Sequence, residues 1–159
     1  MIARYTRSAL AACALAGLPA HALDTVTLDA IDAGFYRGVG SQDPDQTNYN
    51  TGDFDRFRSY FVFDLSAITD DVLSVSLTLF NPDTPGDGIT GNPGDVSVYD
   101  VTTDINTLRT TESDGQAIHT DLGSGTVYGT IDSATYANGI TLTADFNSAG
   151  IAAVNGAKG

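Results

Sequence analysis

The sequence has almost no cysteine, no tryptophan, and only one lysine and one glutamate. Its single cysteine is Cys13, so the rest of the chain has no disulfide framework, no thiolate metal site and no cysteine nucleophile. Glu112 and Lys158 are the only residues of their kinds, whereas Asp, Asn, Gly, Ser and Thr are abundant. Helices normally expose Glu, Lys, Gln and Arg, while the shorter polar residues belong to turns and strand ends. The composition therefore predicts an all-β domain.

Residues 1–22 have the three-part pattern of a secretory signal peptide. Two arginines precede an apolar run, which ends in the small-residue sequence AHA at Ala22. Cleavage there would leave residues 23–159, which are long enough for one domain and which we expect to be exported. The alternative is lipoprotein processing, with Cys13 as the lipidated residue. We favour ordinary cleavage, because the segment between Arg7 and Cys13 is short for the apolar part of a leader.

The chain is strongly acidic. Seven basic residues oppose twenty acidic ones, which gives a formal net charge of −13. The leader contains two of the basic residues and none of the acidic ones, so its removal would change the charge from −13 to −15. Such a surface repels nucleic acid and anionic membranes, and we expect neither as a partner.

Short segments alternate apolar and polar residues with the period of two that a half-buried strand produces. The predicted inward residues, segment by segment, are Val26 and Leu28; Leu73, Val75, Leu77 and Leu79; Val96 and Val98; Val127, Gly129 and Ile131; and Ile140, Leu142 and Ala144. Turn signals such as Asn138-Gly139 separate these segments. Only NSAGIAAVNG predicts a helix, with Asn147 or Ser148 at its start and Gly156 at its end. The pattern predicts an antiparallel β-sandwich of jelly-roll type with one short C-terminal helix.

The most hydrophobic and aromatic stretch is FRSYFVFDLS, residues 57–66. Its two faces are Phe61, Phe63 and Leu65 on one side and Tyr60 and Val62 on the other. Because both faces are apolar, the stretch predicts a central strand, and we expect the three residues of the first face to form the centre of the core. Arg58 and Asp64 are about 20 Å apart along an extended strand, so they cannot pair. We expect Asp64 to accept hydrogen bonds from backbone amides where the strand turns.

Nothing in the sequence forms a convincing catalytic constellation. After the leader the only histidine is His119, which lacks a Gly-x-Ser-x-Gly elbow or a second histidine to act with. We expect it on the surface or at a strand edge. Aspartates are numerous enough that pairs of carboxylates arise by chance, so we predict that the protein is not an enzyme.

The best candidate for a ligand site is SQDPDQTNYNTGDFD, residues 41–55. Six side chains in it carry the hard oxygen ligands that calcium prefers: Asp43, Asp45, Asn48, Asn50, Asp53 and Asp55. The EF-hand template fails, because Asn48 occupies the position of its glycine and Phe54 that of its bidentate glutamate. We therefore consider two interpretations, a calcium loop and a solvated acidic loop, with no other cofactor.

Carbohydrate binding is a further hypothesis, because tyrosines on exposed strands offer flat faces to sugar rings. The tyrosines expected to be exposed are Tyr36, Tyr49, Tyr99, Tyr128 and Tyr136, and we select Tyr49, Tyr99 and Tyr128 as candidate glycan contacts. The missing tryptophan weakens the hypothesis, and strand tyrosines are often ordinary sheet residues.

A family resemblance rests on residues 48–82, which read NYNTGDFDRFRSYFVFDLSAITDDVLSVSLTLFNP, and on the later segments VYDVTT, DLGSGTVYGT and ITLTADFNSAGIAAVNGAKG. These segments resemble exported bacterial proteins that carry a PEP-CTERM sorting tail. FVFDLS and SVSLTL are also similar to the DNRLRE-type jelly rolls found beside polysaccharide-degrading modules.

The resemblance implies an exported β-sandwich without an established activity, associated with the cell envelope or with an exopolysaccharide matrix. It also implies that related chains continue beyond Gly159, with a last strand and a C-terminal sorting segment that would anchor them to the membrane. We therefore expect a non-catalytic structural component of an extracellular polysaccharide matrix or, as the alternative, a carbohydrate-binding module that calcium stabilises.

Overall fold

The computed structural model describes residues 24–40, 49, 57–83, 94–110 and 115–159. The strands in them are β1 (Asp32–Arg37), β2 (Phe57–Val62), β3 (Ser76–Asn81), β4 (Val96–Tyr99), β5 (Val127–Ile131) and β6 (Ile140–Asp145). The helices are α1 (Ile105–Thr110), α2 (Gln116–Asp121) and α3 (Ser148–Ala157), with one 3-10 turn at Ser133–Thr135. The described part of the chain is therefore mostly strand, with a few short helices. The leader lies outside it.

The described strands form three antiparallel pairs, β1–β2, β3–β6 and β4–β5. The second and third pairs are nested, because β4 and β5 lie between β3 and β6 in the sequence. Thr78 lies opposite Thr143 in β3–β6, and Ser97 lies opposite Thr130 in β4–β5. A β-bulge shifts the register beside Val98, so that Tyr99 lies opposite Val127.

Two hydrophobic clusters hold these elements together. The first joins β1 and β2 to α1 and α2, and its members are Tyr36, Tyr60, Val62, Leu108, Ile118 and Leu122. The second joins β3–β6 to β4–β5 through Ile131, Leu142 and Ala144, with Leu77, Leu79, Val96, Val98 and Tyr136 packed against them. The two sheets therefore share one cluster, and β5 and β6 approach each other closely, since a Cβ on Gly129 would lie 2.6 Å from the carbonyl oxygen of Asp145.

The predicted alternation is confirmed along β3 and at the buried residues of β5 and β6. In β3 Leu77 and Leu79 are half-buried, while Ser76 and Thr78 between them are exposed. Leu142 and Ala144 are buried in β6. Four predicted inward residues are placed differently. Leu73 and Val75 precede β3, and Leu73 is 67% exposed; Val127 in β5 and Ile140 in β6 are 38% and 40% exposed. The turn at Asn138-Gly139 is also confirmed, and Gly139 has the positive φ of 77° that such turns need.

The predicted first strand is wrong. Residues 24–30 are not in a strand, and Val26 is 63% exposed. The first strand is instead β1, in which Gly34 faces the ring of Tyr60: a Cβ on this glycine would lie 2.8 Å from the ring. Strand propensity and alternation favour TVTLDA as the first strand. Pairing with β2 instead requires Asp32–Arg37, because Gly34 in this segment leaves room for the ring of Tyr60.

The predicted core face of β2 is also wrong. Tyr60 and Val62 are the buried residues, at 4% and 8% exposure, whereas Phe63 lies beyond the strand end and is 36% exposed. Phe61 and Leu65 are only half-buried. Both faces of this stretch are apolar, so periodicity cannot choose between them, and packing against α1 and α2 decides.

The helix prediction is partly confirmed. The helix α3 begins after Asn147, whose side-chain oxygen accepts hydrogen bonds from the amides of Ala149 at 2.9 Å and Gly150 at 3.1 Å. It continues through Gly156 to Ala157, so Gly156 does not end it. The sequence interpretation missed α1 and α2, because each has only six residues and too few apolar positions for a helical period.

Candidate ligand-binding faces

The structure describes only one residue of the Asp-rich stretch. The six predicted calcium ligands, Asp43, Asp45, Asn48, Asn50, Asp53 and Asp55, lie outside the described residues. Within the described ranges, no group of three or more His, Cys, Asp or Glu side chains is arranged to hold a metal ion. The calcium loop therefore stays a prediction, and Tyr49 is the residue that connects it to the described fold.

Tyr49 packs against β2 and β3. Its hydroxyl donates a hydrogen bond to the carbonyl oxygen of Phe80, and its ring meets the ring of Phe61 edge-on, with centroids 5.9 Å apart. Burial raises the pKa of its phenol above the usual value. These contacts attach Tyr49 itself to Phe61 of β2 and Phe80 of β3.

The outer face of β3–β6 carries hydroxyl groups and one aromatic ring. Its residues, which we call the Phe80 face, are Ser76, Thr78, Phe80, Thr141, Thr143 and Asp145, and all of them are exposed. Phe80 lies opposite Thr141 in the register, and its side chain is 60% exposed. Only Asp145, at one end, is charged. An exposed ring among hydroxyls offers an apolar surface and hydrogen-bonding groups side by side, as the surface of a sugar ring does.

A smaller face of the same kind lies on the outer side of β4–β5. We call it the Tyr99 face, and it consists of Ser97, Tyr99, Val127 and Thr130. The hydroxyl oxygens of Ser97 and Thr130 are 3.5 Å apart across the sheet. Tyr99 is half-buried and follows Val98, whose side chain belongs to the inner cluster, so alternation directs Tyr99 outward.

The third candidate tyrosine, Tyr128, is adjacent to Tyr99 through the bulge but packs differently. Its ring centroid is 5.9 Å from that of Phe146, and its Cβ lies close to Gly150 of α3. Burial, and then the negative charge of Asp100, raise the pKa of its phenol. The structure therefore brings Tyr99 and Tyr128 to the same sheet but separates both from Tyr49.

The remaining tyrosines are occupied by packing. Tyr36 was expected to be exposed, but it is fully buried and donates a hydrogen bond of 2.7 Å to the carbonyl oxygen of Leu108. Tyr136 is half-buried and belongs to the second cluster. Alternation in the sequence does not show which side of β1 is covered, and in the fold α1 packs over Tyr36 and buries it.

Many aspartates bind backbone amides at turns. Asp64 accepts from the amide of Ser66 at 2.9 Å, which confirms the prediction for this residue, and hydrogen bonds from the side chain and the amide of Ser66 lower its pKa. Asp95 accepts from the amide of Ser133 at 2.9 Å, with the same effect on its pKa. Asp100 accepts from the amide of Thr126 at 2.7 Å. These carboxylates fix turns, which explains the aspartate-rich composition.

Asp121 makes the densest of these networks. Burial acts to raise its pKa, but hydrogen bonds from the hydroxyls and amides of Thr102 and Thr103, of 2.7 to 3.0 Å, outweigh burial and lower the pKa. The network attaches the end of α2 to the segment after β4. Arg58 acts on the same helix, because its Nη1 donates to the carbonyl oxygens of His119 at 2.7 Å and Thr120 at 3.3 Å. A cation at the C-terminus of a helix is favourable.

His119 lies inside the molecule and not at a surface or strand edge as expected. It is 7% exposed and lies on α2, next to Ile118 of the first cluster. The prediction is wrong because the sequence pattern does not reveal the six-residue helix α2, and so does not show that His119 lies on its buried face.

No family model matches the chain, and no curated protein or solved structure matches it. Among the described residues, no helix is long and apolar enough to cross a membrane. Sequence reasoning placed Ser76 and Thr78 on the outside of β3 but did not consider Phe80. The signal was present, because Phe80 continues the same alternation.

Proposed function

We propose that this protein is a non-catalytic, exported component of an extracellular polysaccharide matrix. The observation that carries the proposal is the Phe80 face, an exposed sheet face with one ring, hydroxyl groups and a single charge on a chain of net charge −13. The leader-like residues 1–22 and the resemblance to PEP-CTERM-sorted proteins support export.

We further propose that the strands form a β-sandwich of jelly-roll type. In a jelly roll, successive strand pairs are nested along the chain and belong to opposite sheets. The β4–β5 pair is nested within β3–β6 along the chain, and both pairs contribute side chains to the second cluster. Both features support this architecture.

A carbohydrate-binding module is the second candidate function, and the Tyr99 face favours it. This face combines one outward tyrosine with two hydroxyls in register. In this role Tyr99 would stack on a sugar, Tyr49 would be a further contact next to Phe80, and Tyr128 would support the bulge under Tyr99. Calcium bound by the Asp-rich stretch would stabilise the module. A calcium titration that changes neither the melting temperature nor the chemical shift of Tyr49 would argue against that part.

Affinity electrophoresis tests the proposed function. The acidic protein migrates towards the anode, so we expect native gels containing hydroxyethylcellulose, xylan or mixed-linkage β-glucan to retard it in at least one case. Phe80→Ala should remove most of the retardation, because it deletes the exposed ring. Leu73→Ala is the matched control, since Leu73 is an exposed apolar residue at 67% that belongs to neither face. Equal migration in all gels and in a gel without polysaccharide would contradict the proposal.

A further inference from the structure

We infer that Asn138 is a site of spontaneous deamidation, and that Asn81 controls the reaction by holding the two groups that must meet. The sequence contains two asparagine–glycine dipeptides, Asn138-Gly139 and Asn155-Gly156. Deamidation is fastest in this dipeptide, because glycine has no side chain to obstruct attack by its own backbone nitrogen. The reaction at this turn is independent of polysaccharide binding.

The reaction needs only the chain and water. The backbone nitrogen of Gly139 attacks the side-chain carbonyl carbon, Cγ, of Asn138. The new N–Cγ bond closes a cyclic imide, the Cγ–Nδ2 bond breaks, and the side-chain amide leaves as ammonia with the proton from the Gly139 nitrogen. Water then opens the imide at either carbonyl and leaves aspartate or isoaspartate. The amide of Gly139 must therefore be able to lose its proton, and Cγ must be able to approach it.

Asn81 opposes both requirements in the folded protein. Its backbone carbonyl oxygen accepts a hydrogen bond of 2.8 Å from the amide of Gly139, which engages the proton that must leave. Its Nδ2 donates to Oδ1 of Asn138 at 3.0 Å and to the carbonyl oxygen of Ala137 at 2.7 Å. Asn81 is itself only 4% exposed, so its own packing fixes these hydrogen bonds. The folded turn therefore holds the nucleophile and its target on different atoms of one buried residue.

The position of these hydrogen bonds allows them to open locally. Asn81 belongs to the last residue pair in the register of β3–β6, and Asn138 and Gly139 beside it are exposed. The buried residues of β6, Leu142 and Ala144, lie further along the strand. Strand ends open at a lower free energy than a core unfolds. Opening of this end releases the amide of Gly139 and the side chain of Asn138 together, without disturbing the second cluster.

The other dipeptide is held more firmly and provides a comparison within the same chain. Oδ1 of Asn155 accepts from the amide of Val72 at 3.0 Å, and its Nδ2 donates to the carbonyl oxygens of Val72 at 2.9 Å and Ile151 at 3.2 Å. Gly156 lies inside α3. Asn155 can react only when α3 opens and separates from the segment before β3, which is a larger opening. We therefore expect Asn138 to react first in the folded protein.

Peptide mapping by mass spectrometry measures both sites in one sample. The protein is incubated in mildly alkaline buffer made with water labelled with heavy oxygen, which marks each opened imide, either folded or unfolded in urea. We expect similar rates at Asn138 and Asn155 in urea. In the folded protein Asn138 should react at least about tenfold more slowly than in urea, and Asn155 more slowly still. A folded protein in which Asn138 reacts no faster than Asn155, or as fast as in urea, would overturn the inference.

Asn81→Ala tests the role of Asn81. It removes both side-chain hydrogen bonds and leaves the backbone carbonyl oxygen in place. The rate at Asn138 should rise about fivefold to thirtyfold, the factor that corresponds to the loss of one or two ordinary hydrogen bonds. The rate at Asn155 should be unchanged. Thr141→Ala is the matched control, because Thr141 is exposed near the same end of β6, and it should change neither rate.

The comparison of the two sites separates local opening from loss of the fold. An unchanged rate at Asn138 in Asn81→Ala would overturn control by Asn81. Faster reaction at both sites would mean that this variant unfolds, and the wild type in urea below its unfolding midpoint then decides. There the rate at Asn138 should rise before the far-UV circular dichroism changes, whereas the rate at Asn155 should follow the circular dichroism. Rises that coincide at the two sites would overturn the inference.

Discussion

The burial of Tyr60 and the exposure of Phe63 give the sharpest test of the fold. These aromatic residues are three positions apart in the same stretch, yet Tyr60 is 4% exposed and Phe63 is 36% exposed. Tyr60 lies in the first cluster, between Gly34 on the paired strand and the ring of Tyr36, whose centroid is 6.3 Å away. Truncating Tyr60 to alanine therefore empties the centre of a cluster. Truncating Phe63 removes a ring that is already partly in water.

The magnitudes follow from these positions. A buried aromatic side chain removes about 150–250 Å² from water, which at about 25 cal/mol per Å² sets an upper limit of about 4–6 kcal/mol. Measured truncations of buried rings cost about 3–5 kcal/mol, and we expect this loss of unfolding free energy for Tyr60→Ala. For Phe63→Ala we expect about 1–2 kcal/mol, because a good part of the ring is solvated in the folded protein.

Urea unfolding followed by far-UV circular dichroism measures both losses, since the chain has no tryptophan to report by fluorescence. If the m-values of the variants equal that of the wild type, differences between the urea midpoints report differences in unfolding free energy. A double-mutant cycle with Gly34→Ala sharpens the test. A Cβ at Gly34 would collide with the ring of Tyr60, so Gly34→Ala should be costly in the wild type and much less costly in Tyr60→Ala. A loss for Phe63→Ala that equals or exceeds that for Tyr60→Ala would refute the assigned face of β2.

Three further predictions concern polar contacts. Tyr36→Phe should lower the unfolding free energy by about 1–2 kcal/mol in urea titrations, because it removes a buried hydrogen bond to Leu108 without leaving a cavity. The control Tyr99→Phe should lower the unfolding free energy by less than about 0.5 kcal/mol. The unfolding free energy should be constant above about pH 5 and fall below about pH 4. Hydrogen bonds lower the pKa of Asp121 in the folded state, so the ionised carboxylate stabilises the fold, and this stabilisation is lost as the pH falls through that lowered pKa. Asp121→Asn should be about 1 kcal/mol less stable at pH 7 and show a shallower acid transition; an unchanged acid transition would contradict the role of this carboxylate. Asn155→Ala should cost about 1–2 kcal/mol, because the side-chain amide of Asn155 accepts from the amide of Val72 at 3.0 Å and donates to its carbonyl oxygen at 2.9 Å. Asp71→Asn should shift the urea midpoint much less, because the Asp71 side chain, paired with Lys158, is 92% exposed.

The strands that the sequence predicts correctly have one apolar and one polar face. In β3 and β6 alternation alone separates Leu79 and Leu142 from Thr78 and Thr143, and the turn at Gly139 follows from its dipeptide. The face of β2 could not be chosen in this way, because both of its faces are apolar. The choice depends on Gly34, which is distant in sequence and has no side chain that would mark it as part of a strand.

The candidate ligand faces were only partly visible in the sequence. Tyr99 was selected for its residue type, and the structure adds Ser97 and Thr130 as its neighbours through strand pairing. The alternation of β3 places Phe80 on the outer face with Ser76 and Thr78, but its residue type is typical of a core, so residue type and alternation disagree at this position. The short helices α1 and α2 decide that Tyr36 is buried, and helices of six residues leave too little periodicity to recognise.

Glycine has a packing role in this fold as well as a turn role. Cβ atoms added at three glycines would lie 2.5 Å from the ring of Tyr36 at Gly115, 2.8 Å from the ring of Tyr60 at Gly34, and 2.8 Å from the ring of Phe146 at Gly150. In each case an aromatic ring rests where a side chain would otherwise stand. The described part of the chain has no cysteine, so its stability depends on such close packing and not on disulfide bonds. The glycines that pack against these rings are therefore part of the core. Substitutions at these glycines should lower the unfolding free energy as much as truncation of the rings does.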